Sequence, residues 1–126
     1  MATNIPIGLK GKHSEKVTKK NTALSMGSGS LEVFATPALV ALMEQCCMKS
    51  IRTFLPEGYT SVGSEVNVKH IRPSALGDDI HCESEVIAVE DRKISFEVSA
   101  WDDQVLIGHG THIRYIVDIE KFMSRL

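Results

Sequence analysis

Two side chains in this sequence stand where their chemistry is costly. On a wheel of about 100° per residue, Glu44 in the segment PALVALMEQCCMKSIRTFL falls between Ile51 and Met48. Val40 and Cys47 lie beside it, and Gln45, Lys49 and Arg52 lie opposite. A carboxylate inside an apolar stripe is expensive unless it is paired, protonated or set at a cavity. Glu44 therefore reads as a nucleophile or general base with a pKa raised by desolvation. The other readings are a structural ion pair with a core Arg or His, or plain solvent exposure. His70 continues the inward face of Val66 and Val68 just before Pro73. Alone it is a core histidine; with an inward carboxylate it becomes a proton-transfer group. Thr36 caps the helix, which also puts a hydroxyl where backbone N–H groups favour a developing negative charge. Gly63 interrupts a strand pattern, which marks a bulge or a ligand close to the backbone. Arg114 alternates with His112 and Ile116; pointing inward it needs an anion, and otherwise it is a charge on a half-solvated sheet.

These residues need elements to hold them. Thr36 at N-cap and Pro37 at N1 open a helix running to about Leu55, with Val40, Met43, Cys47, Ile51 and Phe54 spaced three and four apart. Pro56, Glu57 and Gly58 stop it. The rest reads as strand. Val62, Ser64, Val66, Val68 and His70 share one face of the first, and the second spans about Asp79 to Val89. Ile94, Phe96, Val98 and Ala100 alternate along the third, and the fourth spans Val105 to Val117. Short turns between them predict an antiparallel meander. One helix on such a sheet is the α+β class, a single domain over residues 1–126. Residues 1–30, with five lysines between Lys10 and Lys20 and the run SMGSGS, read as an irregular arm able to strand-pair or lie over something. A small sheet with one helix leaves a face or an edge uncovered, and a homodimer, or a tetramer of such dimers, is the expected remedy.

The composition is that of a soluble globular domain: 126 residues, 43% hydrophobic, 24% charged, formal charge −2. That balance gives no footprint for nucleic acid or an anionic membrane. No apolar run reaches the roughly 20 residues of a membrane span, and the N-terminus lacks a secretory pattern. Cys46, Cys47 and Cys82 make no disulfide framework and no zinc spacing with the five histidines, which predicts a reducing cytoplasm and no metal. The thiols read as core filler. GxSxG, P-loop, GxGxxG and HExxH motifs are absent from the sequence.

The segments EVFATPALVALMEQCC, SVGSEVNVKH, SFEVSAWD and IGHGTHIRYIV, in this order and spacing, resemble the hotdog-fold thioesterases of the fluoroacetyl-CoA thioesterase type over residues 31–123. The resemblance implies a long central helix wrapped by a curved antiparallel sheet, with sites at a dimer interface. It implies Thr36, Glu44 and His70 as the active-site group, Gly63 beside the thioester and Arg114 in support. It implies no cofactor beyond the CoA carried by the substrate. Thr36 and Glu44 lie about 12 Å apart along an ideal helix, so they meet a substrate from different directions or from different subunits. Members selective for a fluorinated acyl group cover the site with a Phe-bearing lid from the region matching residues 17–31. Here that stretch has no aromatic, only Leu24, Met26 and Leu31, so fluoroacetyl-CoA selectivity is not expected.

Three functions fit this reading. The first is hydrolysis of an acyl-CoA thioester, with Glu44 attacking to give an anhydride or acting as base on water. The second is hydratase or dehydratase chemistry on a thioester-bound acyl chain. The third is an acyl-CoA-binding sensor or sequestering module without turnover, because fold alone does not decide function. A pure binder has no need of a buried carboxylate.

Overall fold

The computed structural model describes residues 4–126; the first three residues of the arm lie outside it. The elements run β1 (Lys10–Lys16), α1 (Ala23–Met26), α2 (Thr36–Arg52), β2 (Tyr59–His70), β3 (Asp79–Glu90), β4 (Lys93–Asp102), β5 (Val105–Asp118) and α3 (Ile119–Ser124). All pairings are antiparallel, and the sheet order is β1-β3-β4-β5-β2. Helix α2 packs on one face of this sheet, as the α+β class requires. The core is Leu39, Leu42, Met43, Cys46, Cys47 and Ile51 of the helix against Ile80, Cys82, Val86, Ile94, Phe96, Val98, Ile107 and Ile116. The other face carries exposed Glu83, Glu97, His109 and Thr111 alongside Tyr115.

The structure departs from the sequence reading in several places. The meander holds only for β3-β4-β5; β2 lies beyond β5, because the segment 71–78 carries the chain across to the far side of the sheet. The arm is not irregular throughout. Lys10–Lys16 pairs with β3, setting Lys10 opposite Glu85 and Lys12 opposite Glu83, so the alternate lysines are the solvent side of an edge strand. The apolar stripe of α2 centres on Leu39, Leu42, Cys46 and their neighbours, which rotates Val40, Glu44 and Met48 to a half-buried ridge at its border and leaves Phe54 exposed. The helix ends at Arg52, and the chain tightens into i→i−3 bonds (Phe54 N–H to the Ile51 carbonyl, 3.0 Å) ahead of Pro56.

Strand β2 contains an irregularity that alternation in the sequence does not reveal. Gly63 faces Arg114 and Glu65 faces Ile113, so Ser64 is an extra residue on β2. Val62 and Ser64 thus do not share a face with Val66, Val68 and His70. Ser61 and Gly63 point to the helix before the bulge, and Val68 and His70 after it.

Candidate active site

At its N-terminus α2 begins one residue earlier than the capping signal predicts. Ala35 is the N-cap, without a side-chain bond, and Thr36 is the first helical residue. The Thr36 hydroxyl is used elsewhere: its Oγ1 lies 2.8 Å from His70 Nδ1. Pro37 still falls in the first turn, where its missing N–H is harmless. His70, at the end of β2, meets Phe34 edge-on with ring centroids 6.4 Å apart. Burial pushes its pKa below the ordinary histidine value. Its Nε2 is buried with no hydrogen-bond partner among the described residues. Thr36, His70, Phe34, Val33, Ser28 and Ala23 border an open hollow of about 270 Å³.

A second group sits midway along the helix. Glu44 is not sunk in the core; its side chain keeps 40% of its exposure, and the carboxylate lies at the mouth of a hollow of about 250 Å³ between α2 and Arg114. The full burial expected of it is not observed, because rotation of the stripe leaves the carboxylate at its border. A Cβ on Gly63 would stand 2.7 Å from Glu44 Oε2, so the carboxylate occupies the space that a side chain at 63 would fill. Arg114 is buried, with 7% exposure, and its Nη1 lies 3.9 Å from Glu44 Oε2. Of the two readings of Arg114, the inward one with an anionic partner is the one observed.

Two residues in this second group were not singled out from the sequence. The Arg114 Nε donates to Ser61 Oγ (2.8 Å), and Nη2 donates to the Ser61 carbonyl (2.9 Å). Nη1 lies 3.1 Å from His112 Nε2, while His112 Nδ1 lies 2.8 Å from the Glu65 carbonyl. The carbonyl can only accept, so Nδ1 carries the proton and Nε2 accepts from the guanidinium. His112 is buried and stacks on Phe96 at 6.1 Å between centroids. Burial pushes its pKa down, the charge of Arg114 adds to this, and the Glu65 carbonyl and Glu44 oppose it. The sequence held a signal for both: His112 stands two residues from Arg114 on one strand face, and Ser61 two residues from Gly63.

The structure thus brings Glu44, Gly63 and Arg114 into one cluster and Thr36 with His70 into another, and the two line different hollows. The cysteines are buried in the core, and burial drives the Cys47 thiol pKa up. Among the described residues no group of three His, Cys, Asp or Glu side chains could hold a metal ion. No helix there is long and apolar enough to cross a membrane.

Comparison with known proteins places this geometry in a family. Residues 17–120 match the sequence profile of FlK, described as fluoroacetyl-CoA-specific thioesterase. The fluoroacetyl-CoA thioesterase of Streptantibioticus cattleyicolor is 37% identical over 95 residues, 75% of this chain and 68% of that one. A solved structure of FlK superimposes with a TM-score of 0.91 at 30% identity, over 97% of this chain and 95% of that one. An FlK mutant in complex with fluoroacetate and CoA gives a TM-score of 0.89 at 31% identity, over 94% and 99% of the two chains. A hot-dog-like protein from Thermanaerovibrio acidaminovorans gives 0.88 at 28% identity, over 96% and 90%. By sequence and by fold, this chain belongs to the fluoroacetyl-CoA-specific thioesterase family and is a hotdog-fold thioester hydrolase.

Proposed function

We propose that this protein hydrolyses an acyl-CoA thioester to free acid and CoA in the cytoplasm, at a site completed across a homodimer. The observation that carries the reading is the Glu44 carboxylate seated over Gly63 beside a buried arginine. Gly63 lets the thioester carbonyl approach the β2 backbone, where an N–H can polarise it. Glu44 then attacks the carbonyl carbon, or takes a proton from the water that does. Arg114 orients the carboxylate. Thr36 offers a hydroxyl to the developing oxyanion or the leaving sulfur, and His70, bonded to it, moves the proton.

Support for a dimer comes from what one chain leaves open. β2 is an edge of the sheet, twelve residues long with a free row of backbone groups. On the helix side Val66 is 37% exposed, next to the half-buried Val40, Glu44 and Met48 ridge. Two copies joined along β2 would extend the sheet and cover that ridge. In this arrangement the Thr36–His70 pair of one protomer faces the Glu44 cluster of its partner. The acyl group is not restricted to fluoroacetyl, because α1 and the following loop carry exposed Leu24, Met26 and Leu31 in place of an aromatic lid.

The test is incubation with acetyl-, isobutyryl- and benzoyl-CoA, with free CoA quantified by chromatography and Glu44→Ala run in parallel. CoA release that disappears in the variant is the expected result. Binding of all three without release overturns the assignment in favour of a sequestering module, and undiminished release by Glu44→Ala removes Glu44 from the chemistry.

A further inference from the structure

Among the described residues the Glu44 carboxylate makes one charged contact, Arg114 Nη1 at 3.9 Å, so its orientation depends on how well the guanidinium is held. Arg114 is gripped on three of its donors. Ser61 takes two of them with its hydroxyl and its carbonyl. The third goes to His112 Nε2 and is the one nearest the carboxylate, since the Nη1 that donates to His112 is the same nitrogen that faces Glu44. A buried guanidinium with an unheld donor would turn to satisfy it, and turning about the Ser61 bonds would carry Nη1 away from Glu44.

We propose that His112 is a positioning residue for the thioesterase reaction: anchored on the Glu65 carbonyl and accepting from Arg114, it locks the guanidinium against Glu44. This rests on the reading that Glu44 acts on the thioester. The arrangement works only while Nε2 is an acceptor. A proton there would set an N–H and a second positive charge 3.1 Å from Arg114 Nη1, and the arginine would be repelled. The groups facing His112 are Arg114 on its own strand, Glu44 from α2, the Glu65 carbonyl from β2 and the uncharged Phe96 from β4, with the Cys47 thiol of α2 near Arg114. Glu44 is the one carboxylate among them, and Arg114 Nη1 contacts both it and the ring, at 3.9 Å and 3.1 Å. Burial and Arg114 both favour the neutral ring, so the lock holds at neutral pH and is released from the acid side.

Two isosteres separate the bonds. In His112→Asn the amide N–H replaces Nδ1 and keeps the Glu65 anchor, but nothing reaches Arg114. In His112→Gln the amide oxygen reaches the Nε2 position and accepts from Arg114, but it cannot titrate. Steady-state kcat and KM are measured from pH 5 to 8.5, with acetyl-, isobutyryl- or benzoyl-CoA, whichever the wild type turns over fastest. Melting temperatures are recorded for each variant. His112→Asn is expected to lower kcat about tenfold or more with KM within about twofold. His112→Gln is expected to recover most of that loss and to move the acid limb of kcat/KM to lower pH. In an Arg114→Gln background His112→Asn should cost nothing further. Wild-type kcat in His112→Asn, or an acid limb in His112→Gln that superimposes on the wild type, overturns the proposal while a dead Glu44→Ala leaves the Glu44 reading standing. Undiminished turnover in Glu44→Ala overturns both.

Discussion

At the scale of single residues, the site is a matter of space and protons. Gly63 is the one position of β2 where a methyl group would meet the Glu44 carboxylate, at 2.7 Å, and His112 Cε1 at 3.1 Å. The obstructing carboxylate is the far end of a flexible side chain, so Gly63→Ala should fold with a melting temperature lowered by only a few degrees. Displacing a reacting group by about 1 Å costs up to a hundredfold, and kcat for acyl-CoA hydrolysis should fall by about tenfold to a hundredfold, read by steady-state kinetics. The histidines predict a pH dependence of stability. Burial holds the folded-state pKa values of His70 and His112 below the ordinary one, so the unfolded chain takes up protons first. Stability should therefore be full above about pH 6.5 and fall as pH drops below it, toward the folded-state values. Thermal melts at pH 7.5, 6.5 and 5.5 check this, and His112→Gln should flatten the slope. Equal melting temperatures across that range would contradict the buried neutral rings.

At the scale of elements, the Glu44 cluster depends on α2, β2 and β5 meeting closely. A Cβ on Gly110 of β5 would run into the Asn67 carbonyl and the Val68 Cα of β2. Backbone cannot step aside as a side chain can, so Gly110→Ala should be far more destabilising than Gly63→Ala, by about 3 kcal/mol or more, measured by urea titration. In the helix, Leu42 is fully buried, and Leu42→Ala should cost about 2–5 kcal/mol. The long helix and the spans of β2 to β5 were legible because period and punctuation agree: Thr-Pro at one end, Pro-Glu-Gly at the other, clean alternation in Ile94 to Ala100. Legibility failed where a tertiary contact overrides a local signal. The Thr36 hydroxyl bonds His70 instead of capping. The arm carrying Lys10, Lys12 and Lys16 reads only as able to strand-pair, because its partner β3 lies far along the chain. The spacing of Val40, Met43, Cys47, Ile51 and Phe54 sets the apolar face too near Glu44; the buried stripe centres on Leu39, Leu42 and Cys46, which leaves Val40 half-buried and Phe54 exposed. Gly63 and Arg114 were nonetheless findable, as a glycine in a strand and a cation with an inward phase. For Ser61 and His112 the only signal is strand phase, each two residues from Gly63 or Arg114, and it points to them once the arginine is seen to be buried.

At the scale of the whole molecule, the two hollows make a claim about assembly. Thr36 and Glu44 sit two turns apart on one helix, and each lines its own opening. If one protomer supplies Thr36 and His70 and its partner supplies Glu44, then Thr36→Ala and Glu44→Ala are each inactive alone. Mixed in equal amounts with subunit exchange, half the dimers are mixed and each holds one intact site. Activity should then return to about a quarter of wild type, read by CoA release after incubation, with sedimentation reporting the dimer. No recovery in exchanged dimers would assign both groups to one chain.

The Ser64 bulge has a consequence for chain length. Gly63 and Glu65 already face neighbouring residues of β5, so a protein lacking Ser64 would keep every strand pairing, and each site side chain would keep its face. Judged by alignment, the deletion would look silent. Yet a regular strand carbonyl lies in the plane of its ladder, out of reach of an inward imidazole; a bulge turns it out of that plane, and here the Glu65 carbonyl accepts from His112 Nδ1 while the Ser64 hydroxyl donates to the Ile113 carbonyl. A family member one residue shorter at this point would inherit the fold and the complete residue set, but not the anchor that orients them.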